Sequence, residues 1–298
     1  MRADMYVETV LKKCELFSAC ALWPREPTVR PRAWINNFEE NDKAIAAVLL
    51  DHFVFFSGIA TDQLLVSSMR SVSSYIRRYR GIDGHRKYMN DVIFTPVLGE
   101  NPNPTDSGQL FCRKLRQLLG ISDDRFVTLE LAHKLAEAGH PVIFLDDFVG
   151  SGDQMASTWS RESSSGVSFE TIAKQRVLDA TYMALVATDA GSKRLADDFP
   201  DLRLIVSHVL DQKHSISSVP SNPLIPDIEN LSNQIDALLE KYEPVLTLPN
   251  YLHTAQERKY GYSELGLLLA FEHSVPDATL PLLWASGQNG WTPLTRRA

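Results

Sequence analysis

Apolar positions recur every three to four residues through DMYVETVLKKCELFSACALW (4–23), NDKAIAAVLLDHFVFFS (41–57) and TDQLLVSSMRSVSSYIRRY (61–79). That is the period of amphipathic helices, and little in the first ninety or so residues reads as strand. Asn41 and Thr61, each followed by an aspartate, are the expected N-caps. From residue 91 short apolar runs alternate with helical ones: DVIFTPVL (91–98), SGQLFCRKLRQLL (107–119), FVTLELAHKLAEAGH (126–140) and PVIFLDD (141–147). The alternation continues through TYMALVATD (181–189), SKRLADDF (192–199) and LRLIVSHV (202–209). It argues for βαβ units and a parallel sheet covered by helices. VIFL and MALVA show no polar alternation, as central strands buried on both faces require. A helix is expected over 228–242 and a returning strand over 265–273, while 100–108, 161–168 and 214–226 read as loops. On this reading a helical region spans 1–89, and an α/β core with a C-terminal completion spans 90–298.

Composition narrows the chemistry. With 44% apolar and 22% charged residues the chain is an ordinary globular one. A net charge of −7 weighs against a direct nucleic-acid footprint, and the basic stretch YIRRYRGIDGHRK (75–87) reads as a solvated helix end and turn. Cys14, Cys20 and Cys112 have no CxxC spacing, which suits reduced thiols and a cytoplasmic setting. The most apolar early run, 44–60, is interrupted by Asp51 and His52, so no membrane segment is expected. The first residues also lack a secretory apolar core.

The candidate chemistry concentrates in VIFLDDFVGSGDQ (142–154). An apolar strand ending in Asp-Asp suits a P-loop NTPase, but no Gly-Lys dipeptide precedes it. A receiver-type acidic pocket, with Asp189 as phospho-acceptor, explains neither the preceding 140 residues nor the glycine loop. A plain turn beginning at Asp147 stays open as an alternative. A ribose 5-phosphate site accounts for the whole order of strand, two carboxylates, glycine loop and helix from about residue 153. Asp146 and Asp147 would face the ribose 2′ and 3′ hydroxyls, directly or through Mg²⁺. The amides of Phe148, Val149, Gly150, Ser151, Gly152, Asp153 and Gln154, with the Ser151 hydroxyl, would receive the 5′ phosphate at a helix N-terminus.

This stretch resembles the PRPP-binding motif of type I phosphoribosyltransferases: a strand, Asp-Asp, two apolar residues and a small Thr/Ser-Gly loop. By position Asp146 and Asp147 match the acidic pair, and Gly150, Ser151 and Gly152 match the loop. The match departs at Asp153 and Gln154, where the usual enzymes carry Gly and Thr. A carboxylate there repels an anion unless it points outward or caps the helix. KYGYSELGLLLAFEHSVPDATLPLLW (259–284), NGWTPLTRR (289–297) and FFSGIATDQLLVSSMRSV (55–72) resemble a phosphoribosyltransferase-like effector family of prokaryotic conflict systems, including anti-phage modules and retron-type cassettes.

The resemblance implies an α/β fold with a type I phosphoribosyltransferase-like parallel-sheet core and an N-terminal helical region. It implies a PRPP or nucleotide ligand with Mg²⁺, held indirectly by Asp146 and Asp147 through ribose or water, and chemistry at ribose C1. It also implies a protein partner from a defence cassette, such as a reverse transcriptase or a sensor. Such enzymes bind pyrophosphate with a short loop after an early strand. Here 95–108 takes that place, with Thr95, Gly99, Ser107 and Gly108 as its candidate residues. Asp189 and Asp277 are accessory candidates, each also readable as a helix cap, with Ser192 an alternative cap beside Asp189. Tyr260, Tyr262 and Trp284 read either as core or as a base-stacking surface. Two other readings stand beside the enzyme: an inert PRPP- or nucleotide-sensing module, and a partner-binding scaffold with a vestigial loop.

Overall fold

The computed structural model describes residues 2–98, 107–211, 214–216, 219 and 230–297. They form two compact units, Met1–Ile59 with Asp211–Ala298, and Ala60–Leu210. The chain opens in the first unit with α1 (Ala3–Ala19), α2 (Pro31–Ile35), α3 (Lys43–His52) and β1 (Val54–Phe56), and α4 (Gly58–Asp91) leads into the second. There follow β2 (Ile93–Pro96), α5 (Ser107–Leu119), α6 (Leu129–Glu137), β3 (Val142–Val149), α7 (Asp153–Ser160) and α8 (Phe169–Gln175). The second unit ends with β4 (Ala180–Thr188), α9 (Asp189–Asp198) and β5 (Leu202–Leu210). Back in the first unit come α10 (Leu231–Tyr242), β6 (Leu246–Thr247), α11 (Ala255–Tyr260), β7 (Leu269–Phe271), α12 (Pro281–Trp284) and β8 (Ser286–Gly287).

The second unit is built on a parallel sheet of order β2-β3-β4-β5. Every residue of β4 is buried, as is β3 apart from Phe148, which is why both segments read as unbroken apolar runs. Leu65, Met69, Val72 and Ile76 form the buried stripe of α4 at helical spacing. That helix changes direction at Gly81, whose φ of +69° suits glycine. On the sheet, Phe144 and Phe169 meet edge to face at 4.8 Å, and His133 stacks on Phe169 at 4.1 Å. The α/β fold with a parallel sheet is as the sequence implies.

The first unit is assembled from both ends of the chain. Trp34 is fully buried and its indole N–H donates to the Leu282 carbonyl at 2.9 Å. Ile45 to Leu50 of α3 are all buried in the same core as Ile235, Leu238 and Leu239 of α10. The N-terminal stretch is not wholly helical: Val54–Phe56 pairs in parallel with Leu269–Phe271, so strand pairing overrides the helical period there. The expected boundary near residue 90 differs from the observed units, because α4 packs its apolar stripe within the sheet unit while α1 to α3 share a core with the tail.

Neither expected N-cap is used. Helix α3 starts at Lys43 after Asp42, whose carboxylate accepts from Lys241 Nζ and the Tyr242 hydroxyl, both at 2.7 Å, rather than from its own helix. Thr61 is buried inside α4, which begins three residues earlier, where the Gly58 N–H donates to Glu272 at 2.5 Å. No helix among the described residues is long and apolar enough to cross a membrane.

His133 is 2% exposed, and burial lowers its imidazole pKa below the ordinary 6.5. The unfolded chain therefore binds a proton that the folded one resists, and folding stability is full above about pH 6.5 and lost as pH falls through and below it. Urea unfolding of the sheet unit is expected to shift to lower urea between about pH 7.5 and about pH 5, with a flatter pH profile in His133→Leu.

Candidate functional site

Asp146 and Asp147 lie within β3 rather than after it, at its carboxyl end, the end at which parallel α/β sheets present ligand-binding turns. Both are buried, 3% and 5% exposed. Asp146 Oδ2 accepts the Tyr182 hydroxyl of β4 at 2.8 Å. Its Oδ1 accepts the Asp147 N–H at 2.9 Å and the Ser107 hydroxyl, from the first residue of α5, at 3.3 Å. Burial first, and then the Asp147 charge, push the Asp146 carboxyl well above the usual carboxylate range, while the Tyr182 and Asp147 donors pull the other way. The Tyr182 phenol is likewise raised, by burial and then by Asp146, and stays a donor.

The strand runs through Phe148 and Val149 into the glycine loop and α7. Gly152 precedes α7 with φ +88°, and a Cβ there would press on Leu195 at 3.2 Å. The Gly150 carbonyl accepts the Thr188 hydroxyl at 2.6 Å, and Thr188 in turn accepts the Gly191 N–H at 2.9 Å as the cap of α9. A Cβ on Gly191 would sit far inside contact distance of the Gly150 carbonyl oxygen. Asp189, the accessory candidate, is exposed in the first turn of α9; Thr188 is the cap, not Asp189 or Ser192.

Asp153 does not repel its surroundings unopposed. Its Oδ1 accepts from Arg194 Nη1 at 2.6 Å and its Oδ2 accepts the Ser151 hydroxyl at 2.6 Å. Arg194 also donates to the Ser151 carbonyl at 3.0 Å and to Asp198 at 3.4 Å. Neither Arg194 nor Tyr182 was singled out in the sequence. The signal for Arg194 was its place in the first helix after a strand whose turn faces the loop; Tyr182 was masked as an ordinary strand aromatic.

Of the candidate pyrophosphate residues, Ser107 is brought to Asp146, and Gly108 lets α5 approach Pro96 and the Leu145 carbonyl, which a Cβ would meet at 2.9 and 3.0 Å. Thr95 is fully buried in β2, and its hydroxyl has no hydrogen-bond partner among the described residues. Gly99 lies outside the described residues. Thr158 of α7 holds Leu98, where that loop begins, through hydrogen bonds of 3.0 and 3.2 Å. Asp277 belongs to the other unit, where its carboxylate pairs with Arg297 and its carbonyl accepts the Tyr262 N–H at 2.8 Å. Trp284 is 7% exposed in that unit's core, with Tyr260 and Tyr262 packed against it, as the core reading expects.

Comparison with protein families matches residues 31–297 to PRTase-CE, a phosphoribosyltransferase-like family. The chain belongs to this family. The PRTase-CE chain is also similar to the AQ2163 protein from Aquifex aeolicus, with 16% identity over 41% of this chain and a TM-score of 0.28. It spans about half the length of that protein, 55%. No curated protein matches.

Among the described residues of this PRTase-CE protein, no group of three or more His, Cys, Asp or Glu side chains is placed to hold a metal ion. Asp146 and Asp147, two adjacent buried carboxyls, are the residues that would hold a Mg²⁺, through water or a ligand. Gly191→Ala is expected to destabilise the sheet unit by about 1–3 kcal/mol, since backbone must shift to admit the methyl group. Urea denaturation beside the wild type measures it.

Proposed function

We propose that the sheet unit binds a ribose 5-phosphate group, as PRPP or a nucleotide, and makes or breaks the bond at ribose C1. The observation that carries this reading is the buried Asp146–Asp147 pair running directly into a Gly150–Gly152 loop that opens α7, in a chain of a phosphoribosyltransferase-like family. A diol recognises carboxylates and a phosphate recognises a helix-opening glycine loop, and one ribose 5-phosphate carries both.

In this reading a ribose hydroxyl takes the place of Ser107, the most distant of the Asp146 donors. Tyr182 and the Asp147 N–H keep the carboxyl oriented. Ser107 and Gly108, at the start of α5, are the residues this reading assigns to the leaving pyrophosphate. Mg²⁺, when bound, neutralises charge on the pyrophosphate oxygens. The transition state at C1 is oxocarbenium-like, so the chain contributes position and charge complementarity more than a strong base. The setting we propose is an effector of a conflict system acting with a cassette partner, a reading supported by the resemblance of the C-terminal signature. An inert sensor is the second reading, favoured by the Ser151 hydroxyl being engaged by Asp153.

Calorimetric titration of PRPP and nucleoside 5′-monophosphates, with and without Mg²⁺, tests the site. Saturable binding is expected in the wild type and a loss of roughly a hundredfold or more in the Asp146→Asn/Asp147→Asn double variant, since each Asn can put an N–H₂ donor where a carboxyl oxygen accepts. Pyrophosphate or base release in the same mixtures separates enzyme from sensor. No binding by the folded wild type, and none when the loop carboxylate Asp153 is replaced by Asn, rejects the reading.

A further inference from the structure

Ser151 has one hydroxyl proton to donate, and it goes to Asp153 Oδ2 at 2.6 Å. The other carboxylate oxygen takes Arg194 Nη1 at 2.6 Å, and Arg194 also grips the loop through the Ser151 carbonyl. One carboxylate of the chain therefore holds the loop's hydroxyl donor and a cation beside it, the two groups best suited to an incoming anion. We propose that Asp153 is an internal counter-anion of the glycine loop, and that a ligand phosphate enters by displacing it from Ser151 and Arg194.

This rests on the ribose-phosphate reading and adds two roles to it: Arg194 binds the phosphate, and Asp153 sets how tightly it binds. The exchange is feasible because the Asp153 and Arg194 side chains are 34% and 42% exposed, and ion pairs so placed are weak. A phosphate offers three acceptor oxygens to a guanidinium that pairs well with two at once. The displaced carboxylate remains in the first turn of α7, where a negative charge is favoured. Asp198, four residues along α9, keeps the guanidinium over the loop during the exchange. A nucleoside without its phosphate has nothing with which to displace Asp153.

The test titrates ribose 5-phosphate and PRPP, each with Mg²⁺, into the full chain as wild type, Asp153→Asn, Asp153→Ser, Arg194→Gln and the Asp153→Asn/Arg194→Gln pair. Circular dichroism confirms that each variant is folded. Both Asp153 variants are expected to bind on the order of tenfold tighter than wild type, Arg194→Gln on the order of tenfold weaker, and the pair to lose the gain. An unphosphorylated nucleoside should bind all five alike. Binding by Asp153→Asn where the wild type shows none supports the proposal in its strongest form. Wild type and both Asp153 variants binding within about twofold of one another overturns it and leaves the ribose-phosphate reading standing. Absence of binding in every protein, the Asp153 variants included, overturns both.

Discussion

The glycine loop keeps its shape because the Gly150 carbonyl is pressed against the start of α9 with no side chain between them. A single hydroxyl, that of Thr188, donates to this carbonyl and accepts the Gly191 N–H, so both of its hydrogen-bonding roles serve one contact. The peptide plane is rigid and its N–H lies opposite its C=O, so fixing the Gly150 carbonyl toward α9 turns the Ser151 N–H away from it. One orientation thus sets the direction of a loop amide and the path into α7. Thr158, inside α7, in turn holds the chain at Leu98, so the helix that the loop opens also fixes a point within the 95–108 segment.

Charge along this short stretch is arranged in two different ways. At the strand end, burial and the neighbouring Asp147 favour the neutral form of Asp146 against hydrogen-bond donors that favour the anion, and burial is the larger influence. At the loop, the Asp153 carboxylate sits half-exposed and is balanced by Arg194. A buried carboxyl held by neutral donors suits a hydroxyl-bearing ligand, because a ligand O–H can replace one of those donors. A solvated ion pair beside a glycine loop suits exchange with another anion, because little is lost when it opens.

The sheet was legible because buried parallel strands need unbroken apolar runs, and VIFL and MALVA supply them. Helices α4, α5, α6 and α9 were legible from their period and the start of α7 near residue 153 from the order of strand, carboxylates and glycine loop, whereas the short α8 was not. The division of the chain was not, since a three-to-four repeat states that a helix buries one face but not which core receives it. Helices α1 to α3 belong with α10 and α12, more than a hundred residues further on in sequence, and the three-residue β1 finds its partner only at β7. In the site, the backbone-determined elements could be read: the acidic pair, the glycines and the helix start. The side-chain partners could not, because Arg194 meets Asp153 only once β4 and β3 are paired, and 41 residues separate them in sequence.

On the proposed reading, the departure at Asp153 bears on affinity rather than on whether chemistry occurs. A phosphate is a remote, non-reacting part of a substrate that reacts at C1, and a competitor for its site weakens substrate and transition state by the same amount. Such a uniform term raises the ligand concentration at which the site fills and leaves the barrier of the bound complex alone. On the proposed reading, chemistry at C1 therefore depends on whether the Asp146–Asp147 pair and the start of α5 hold C1 and its leaving group in line. Those groups sit on the far side of the loop from Arg194 in sequence and are built on β3 and α5, elements that the Asp153–Arg194 exchange does not touch.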